Sequence, residues 1–204
     1  MTYSSKQSIS LAITGASGAP YGLRLLECLI KAGQSIYLMV SQAAQVVIAT
    51  ETDLKLKGRP AEMQQQLSER YGAAEGQLQV FGKEQWMAPV ASGSNAPRAM
   101  VVCPCSTGTL SAIACGASNN LIERAADVML KEQKKLILVP REMPLSAIHL
   151  ENMLKLTRLG CVMMPASPGF YQKPEHVNDL IDFVVARILD QLQIEQQLMP
   201  PWGE

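Results

Sequence analysis

The segment Ile9-Ser-Leu-Ala-Ile-Thr-Gly-Ala-Ser-Gly-Ala-Pro-Tyr-Gly22 decides how this chain is read. A short apolar strand, Ile9 to Ile13, stops at Gly15-Ala16-Ser17-Gly18, and a helical pattern begins near Pro20. Strand, small-residue turn and helix in that order let backbone N–H groups approach a ligand. The positive end of the helix favours an anion there. The dinucleotide fingerprint G-x-G-x-x-G does not fit, because Ser17 stands where its second glycine belongs. A hydroxyl then takes the space that a pyrophosphate needs, so the turn reads as a nucleotide site, but not one for NAD.

Further apolar runs at Ser35–Val40, Ala99–Cys103, Leu136–Val139 and Cys161–Met164 read as strands, with a weaker one at Leu78–Phe81. Helical patterns cover Tyr21–Ala32, Gln42–Glu51, Pro60–Tyr71, Thr109–Cys115, Leu121–Glu132, Ser146–Leu159 and Pro174–Gln197. The strands are continuously apolar rather than alternating, which marks a parallel sheet covered on both faces. Right-handed crossovers then give an α/β fold, a doubly wound, mostly parallel sheet in a three-layer sandwich, Rossmann-like or flavodoxin-like. The 204 residues suit a single domain, 1–204, with length enough for a core. The loop Ala91–Pro97 is too short for a domain linker. The tail Met199-Pro-Pro-Trp-Gly-Glu204 cannot continue a helix, so it docks or frays.

Hydrophobic residues make up 48% and charged residues 18%, with formal net charge zero, a balance that opposes disorder and nucleic-acid binding. No apolar run approaches the roughly 18–20 residues of a membrane helix. The N-terminus lacks the apolar core of a signal peptide, so a cytoplasmic protein is expected. Cys28, Cys103, Cys105, Cys115 and Cys161 are odd in number and lie in apolar segments, unlike a disulfide framework. Cys103-Pro-Cys105 has no second pair at ligand spacing, and the only histidines are His149 and His176. Structural thiols are therefore preferred over ligands, and no metal is expected.

In such sheets ligands bind beyond the carboxyl ends of the strands. Those ends carry Gly15-Ala16-Ser17, Ser41, Ser106-Thr107-Gly108-Thr109, Arg141-Glu142 and the loop Pro165–Tyr171. A dinucleotide enzyme places Asp or Glu after its second strand to hold a ribose. Here that place is taken by Ser41, a hydroxyl suited to a phosphate. Two hydroxyl-rich loops with Arg141 fit a phosphomonoester on a flat, apolar ring system, and FMN is the foremost candidate. Each motif alone has a plainer reading. Gly15–Gly18 is also a tight turn, Ser106–Thr109 an N-cap cluster, Arg141-Glu142 a solvated pair and Tyr171 a packing residue. Their convergence on one sheet edge favours the ligand.

Blocks along nearly the whole chain resemble the UbiX/Pad flavin prenyltransferase family. They are Gly15–Gly22, Ser106–Thr109, Asn119–Val128, Val139–Pro144 and Pro165–Tyr171. The resemblance implies an FMN-binding homo-oligomer, a dodecamer with sites at subunit interfaces. It implies transfer of a dimethylallyl group from dimethylallyl phosphate to N5 and C6 of reduced FMN. The prenylated flavin would serve a UbiD-type decarboxylase, as in ubiquinone biosynthesis. FMN contacts are implied at Gly15, Ala16, Ser17, Ser41, Ser106, Thr107, Gly108, Thr109 and Arg141. Tyr171 and Arg187 are implied for the dimethylallyl phosphate, and Glu51, Glu142, Arg124 and Lys131 as lining the active site.

The residue types agree with that chemistry. A monophosphate is a poor leaving group and the sequence has no Asp-rich metal motif, so side chains must carry the charge. Arg124 and Lys131, seven apart on one helix, share a face. With Arg141, Arg187 and Tyr171 they are expected to enclose a phosphate dianion. The plainer alternative is a solvated stripe paired with Glu123, Asp127 and Glu132. Glu142 is placed to protonate the departing phosphate or to orient its cations. Glu51 would accept a proton through Ser17, or else be a frayed helix end. The Trp202 indole would face an allylic cation, or plug a subunit groove. Two other readings remain. A flavin-dependent decarboxylase needs a histidine by the flavin, and a non-catalytic FMN carrier leaves Glu142, Tyr171 and Arg187 unexplained.

Overall fold

The computed structural model describes residues 7–200 and 203. Among these residues six strands form a single parallel sheet: β1 (Ile9–Ile13), β2 (Ile36–Val40), β3 (Leu78–Phe81), β4 (Ala99–Cys105), β5 (Lys135–Pro140) and β6 (Val162–Met163). Their spatial order is β3-β2-β1-β4-β5-β6. Around them lie α1 (Ala19–Lys31), α2 (Gln42–Glu51), α3 (Pro60–Tyr71), α4 (Thr107–Ala114), α5 (Leu121–Lys131), α6 (Ala147–Arg158) and α7 (Val177–Gln191). The expected doubly wound α/β sandwich is what the chain adopts.

Period-two geometry explains the two cores. Ile9, Leu11 and Ile13 of β1 point into a cluster with Leu25 and Leu26 of α1, Ile48 of α2, Leu67 of α3 and Ile188 of α7. Ala12 points the other way, into a cluster with Leu110 of α4, Leu121 and Met129 of α5 and Leu156 of α6. Both faces are covered, so every residue of β1 and β4 is buried, as continuous apolar runs require.

Boundaries differ where side chains intervene. The last helix was expected over Pro174–Gln197 but spans Val177–Gln191. The Asp179 carboxylate accepts the N–H groups of Glu175 and His176, both at 2.9 Å, and so fixes its start. Gln193, at φ 56°, ends it in the left-handed region. The expected start of α4 at Thr109 moves back to Thr107, because β4 runs through Cys105 and Ser106 caps the helix. No α-helix links β3 to β4; two short 3₁₀ turns, Pro89–Ala91 and Gly93–Asn95, fill that crossover. Leu198 packs against the first core cluster, whereas Trp202 lies outside the described residues. No helix among the described residues is long and apolar enough to cross a membrane.

The cysteines divide. Cys103, Cys105 and Cys161 are buried, but Cys115 is exposed beyond α4, which corrects its expected apolar setting. Burial pushes the Cys105 thiol up to about 12 and Cys161 up to about 11, and raises Cys103 as well. Thiol titration of the native protein at about pH 8 is expected to label Cys115 quickly, with Cys103, Cys105 and Cys161 reacting only after denaturation. Rapid labelling of all three in native buffer would contradict this packing.

Candidate functional site

Strand order reverses between β1 and β4, and this opens a crevice beyond their carboxyl ends. The Gly15–Gly18 turn leaves β1 on one side of it and the Ser106–Thr109 loop leaves β4 on the other. At Gly15 a Cβ would stand 2.5 Å from Ala43 Cβ, so only glycine lets the turn lie against the first turn of α2. Ser41 caps α2, its Oγ accepting Ala44 N–H at 3.1 Å. Ser106 caps α4, its Oγ accepting Thr109 N–H at 3.2 Å. Each cap satisfies one amide and leaves the helix's first N–H groups at the crevice. Capping and anion binding are thus compatible uses of the same serines.

The start of α1 behaves differently from expectation. Glu51, the last residue of α2, places its Oε2 at 2.9 Å from both Gly18 N–H and Ala19 N–H. Gly18, the N-cap residue, has no side chain to do this itself. A carboxylate complements the positive end of a helix, so Glu51 is a cap rather than a frayed terminus. The anion expected at this turn is the chain's own. A ligand phosphate approaching α1 would meet that negative charge, which leaves the starts of α2 and α4 as the phosphate-ready amides.

Arg141 follows β5 and donates from Nε to the Ser17 carbonyl oxygen at 3.2 Å. Among the described residues this is its only hydrogen bond, so the guanidinium both pins the turn and retains donors. The neighbouring Glu142 is exposed and accepts the Met143 N–H at 3.1 Å. A cavity of about 110 Å³ opens between Ser41, Phe81, Lys83, Thr109, Asn120 and Leu121. Phe81, Lys83 and Asn120 were not anticipated. The Asn-x-x-Glu spacing of Asn120 and Glu123 was the available signal, since Asn120 Oδ1 caps Glu123 N–H at 3.0 Å and so starts α5 there. A larger cavity of about 400 Å³ lies around Arg24, Glu27, Tyr71 and Asp182, and neither small-residue loop contributes to it.

The expected ring of cations does not close within one chain. Arg124 donates to the Ala91 carbonyl at 3.0 Å and pairs with Asp127 at 2.8 Å, and Lys131 pairs with Glu132. They share a face, but it is turned to the 91–95 segment. Helix α5 starts at the carboxyl edge of the sheet and ends at the opposite one, where Lys134 holds the Ala96 and Pro97 carbonyls just ahead of β4. Arg187 pairs with Asp190 at 2.7 Å. It lies one turn before Gln191 and Leu192, whose carbonyls are held by Lys135 and Arg98 at the starts of β5 and β4. Lys131 and Arg187 therefore lie toward the edge away from Arg141. Tyr171 packs edge-on against Phe183 of α7, with ring centroids 5.4 Å apart. The two histidines serve as caps: His149 Nδ1 accepts Ser146 N–H at 3.2 Å, and His176 is the N-cap of α7.

Comparison with known proteins decides the family. Residues 1–189 match the flavoprotein family model. Flavin prenyltransferase UbiX of Pseudomonas aeruginosa is 63% identical over 201 residues, covering 98% of this chain and 96% of that protein. The chain belongs to the UbiX/Pad flavoprotein family. One member of known structure, AnUbiX in complex with FMN and dimethylallyl pyrophosphate, superposes with a TM-score of 0.85 at 39% identity, covering 98% of each chain. A second UbiX/Pad relative, the dodecameric FMN-dependent UbiX-like decarboxylase of Escherichia coli O157:H7, gives 0.85 at 39% identity, covering 97% of this chain and all of that one.

Proposed function

We propose that this chain is a flavin prenyltransferase that joins a dimethylallyl group from dimethylallyl phosphate to reduced FMN. The observation that carries the reading is the crevice itself, where a glycine-tight turn and two serine-capped helix starts meet Arg141. These groups fit FMN. The first amides of α2 and α4, with the Ser41 and Ser106 hydroxyls, suit the phosphate, while the Gly15–Ser17 turn offers a close backbone surface for a flat ring. When bound, reduced FMN supplies the nucleophilic N5 and C6 positions that take up the five-carbon unit.

The chain's own residues do the rest. Arg141 orients the Ser17 turn and offers its remaining donors to an anion. Glu51 holds a carboxylate one residue from Ser17, as a proton acceptor relayed through that hydroxyl. Glu142 is the proton donor to the departing phosphate. The remaining cations, Lys131 and Arg187 with Arg124, act from neighbouring copies in a homo-oligomer, and Tyr171 joins them in holding the dimethylallyl phosphate. Such an assembly reconciles the positions of Lys131 and Arg187 at the far edge with a role at the crevice, and the E. coli relative is itself dodecameric. The product would pass to a UbiD-type decarboxylase. The alternative in which this chain itself decarboxylates through a flavin-side histidine loses support, since both histidines hold helix caps.

Anaerobic incubation with reduced FMN and dimethylallyl phosphate, followed by mass analysis of the extracted flavin, is expected to show a gain of one five-carbon unit. Bound FMN without that gain would reject the transferase. Arg141→Ala is expected to weaken FMN binding about tenfold or more, as loss of a charge-assisted contact does. Fluorescence titration measures it, and an unchanged Kd would remove Arg141 from the flavin site.

A further inference from the structure

Thr14 follows β1 directly and is 2% exposed. The ladder between β1 and β4 pairs Ile9 with Ala99 through Ala12 with Val102. Beyond Val102 the β4 backbone is irregular, its pairing with β5 shifting register before Cys105. Across this break the Thr14 side chain takes over from the ladder. Its Oγ1 donates to the Pro104 carbonyl at 2.9 Å and accepts the Ser106 N–H at 2.8 Å. Its backbone N–H also reaches the Pro104 oxygen, at 3.2 Å. One hydroxyl thus uses its single proton on a carbonyl of β4 and a lone pair on the N–H of the residue that caps α4.

The position of this bridge matters. Thr14 is the last residue before the Gly15–Gly18 turn, and Ser106 is the N-cap of α4. The bridge therefore spans the point where strand order reverses and the two halves of the crevice meet. We propose that Thr14 is a positioning residue that sets the distance between the Gly15–Gly18 turn and the α4 N-terminus. In this way it holds the phosphate-ready amides in register with the ring-binding turn. The proposal rests on the FMN reading of the crevice and adds to it a residue that touches neither ring nor phosphate.

The volume-matched Thr14→Val removes both side-chain bonds, and Thr14→Ser keeps them. FMN and riboflavin, which lacks the phosphate, are titrated against each variant. Thr14→Val is expected to raise the FMN Kd about tenfold while moving the riboflavin Kd less than about twofold, and Thr14→Ser to restore wild-type values. Gln77→Leu is the stability control. Gln77 is buried at the opposite edge, where its amide holds the Ile30 carbonyl at 2.8 Å, so its loss should lower stability and leave FMN binding alone. Should Thr14→Val not fold, Thr14→Cys, with a weaker donor and acceptor, carries the test and is expected to fall between Thr and Val. An unchanged FMN Kd in the Val or Cys variant would overturn the proposal, and so would equal weakening of FMN and riboflavin. Failure of the wild-type chain to bind FMN would instead overturn the flavin reading itself.

Discussion

Glu51→Gln is expected to lower turnover by about 10²–10³ while the fold keeps nearly its full stability. The reason lies in the two things that this carboxylate does at once. It caps α1 through the Gly18 and Ala19 amides, and it stands one residue from Ser17, where the proposed proton transfer passes. A glutamine carbonyl still accepts those amides, so the helix start survives, but it cannot take up a proton. Glu51→Ala removes both roles and should in addition cost about 1 kcal/mol of stability. Single-turnover prenylation and urea denaturation of the two variants separate cap from base. If the Gln variant turns over like wild type, Glu51 is a cap and nothing more.

The sheet was legible because the strands are short, mostly apolar runs bounded by turn residues, and β1, α2, α3 and β3 begin and end where their patterns do. What escaped was set by single side chains at ends. Nothing in the apolar periodicity of 174–197 announces that Asp179 will gather the amides of Glu175 and His176 and start α7 there. The site divides in the same way. Ser41, Ser106 and Arg141 could be placed because they sit at strand ends, which topology alone brings to one edge. Glu51 could be named through family resemblance, but its grip on α1 depends on a contact 33 residues away in sequence. Thr14 is not legible, since a lone hydroxyl after a strand carries no pattern. Lys131, which shares a face of α5 with Arg124, shows the limit most clearly. A shared helix face is readable from spacing, but the edge of the sheet that the face occupies is not.

Gly22→Ala is the substitution expected to damage the fold most for its size. Helix propensity alone would make alanine the better residue by about 1 kcal/mol. A Cβ at this position, however, would lie 2.3 Å from the Cys103 carbonyl oxygen and 3.2 Å from Ile13 Cδ1. The first neighbour is backbone in the middle of the buried sheet, not the end of a flexible side chain, so it cannot yield. Helix α1 would have to lift from β4, and because Glu51 and Arg141 grip its leading turn, the lift would strain the crevice as well. A net loss of about 3 kcal/mol follows, at the upper end for overpacking, with weaker FMN binding accompanying it. Gly58→Ala is the matching control, since a Cβ there meets nothing within 4 Å. Urea denaturation of both proteins reads the difference directly. Gly22→Ala as stable as wild type would mean that α1 does not approach β4 this closely, and the coupling of the helix to the site would go with it.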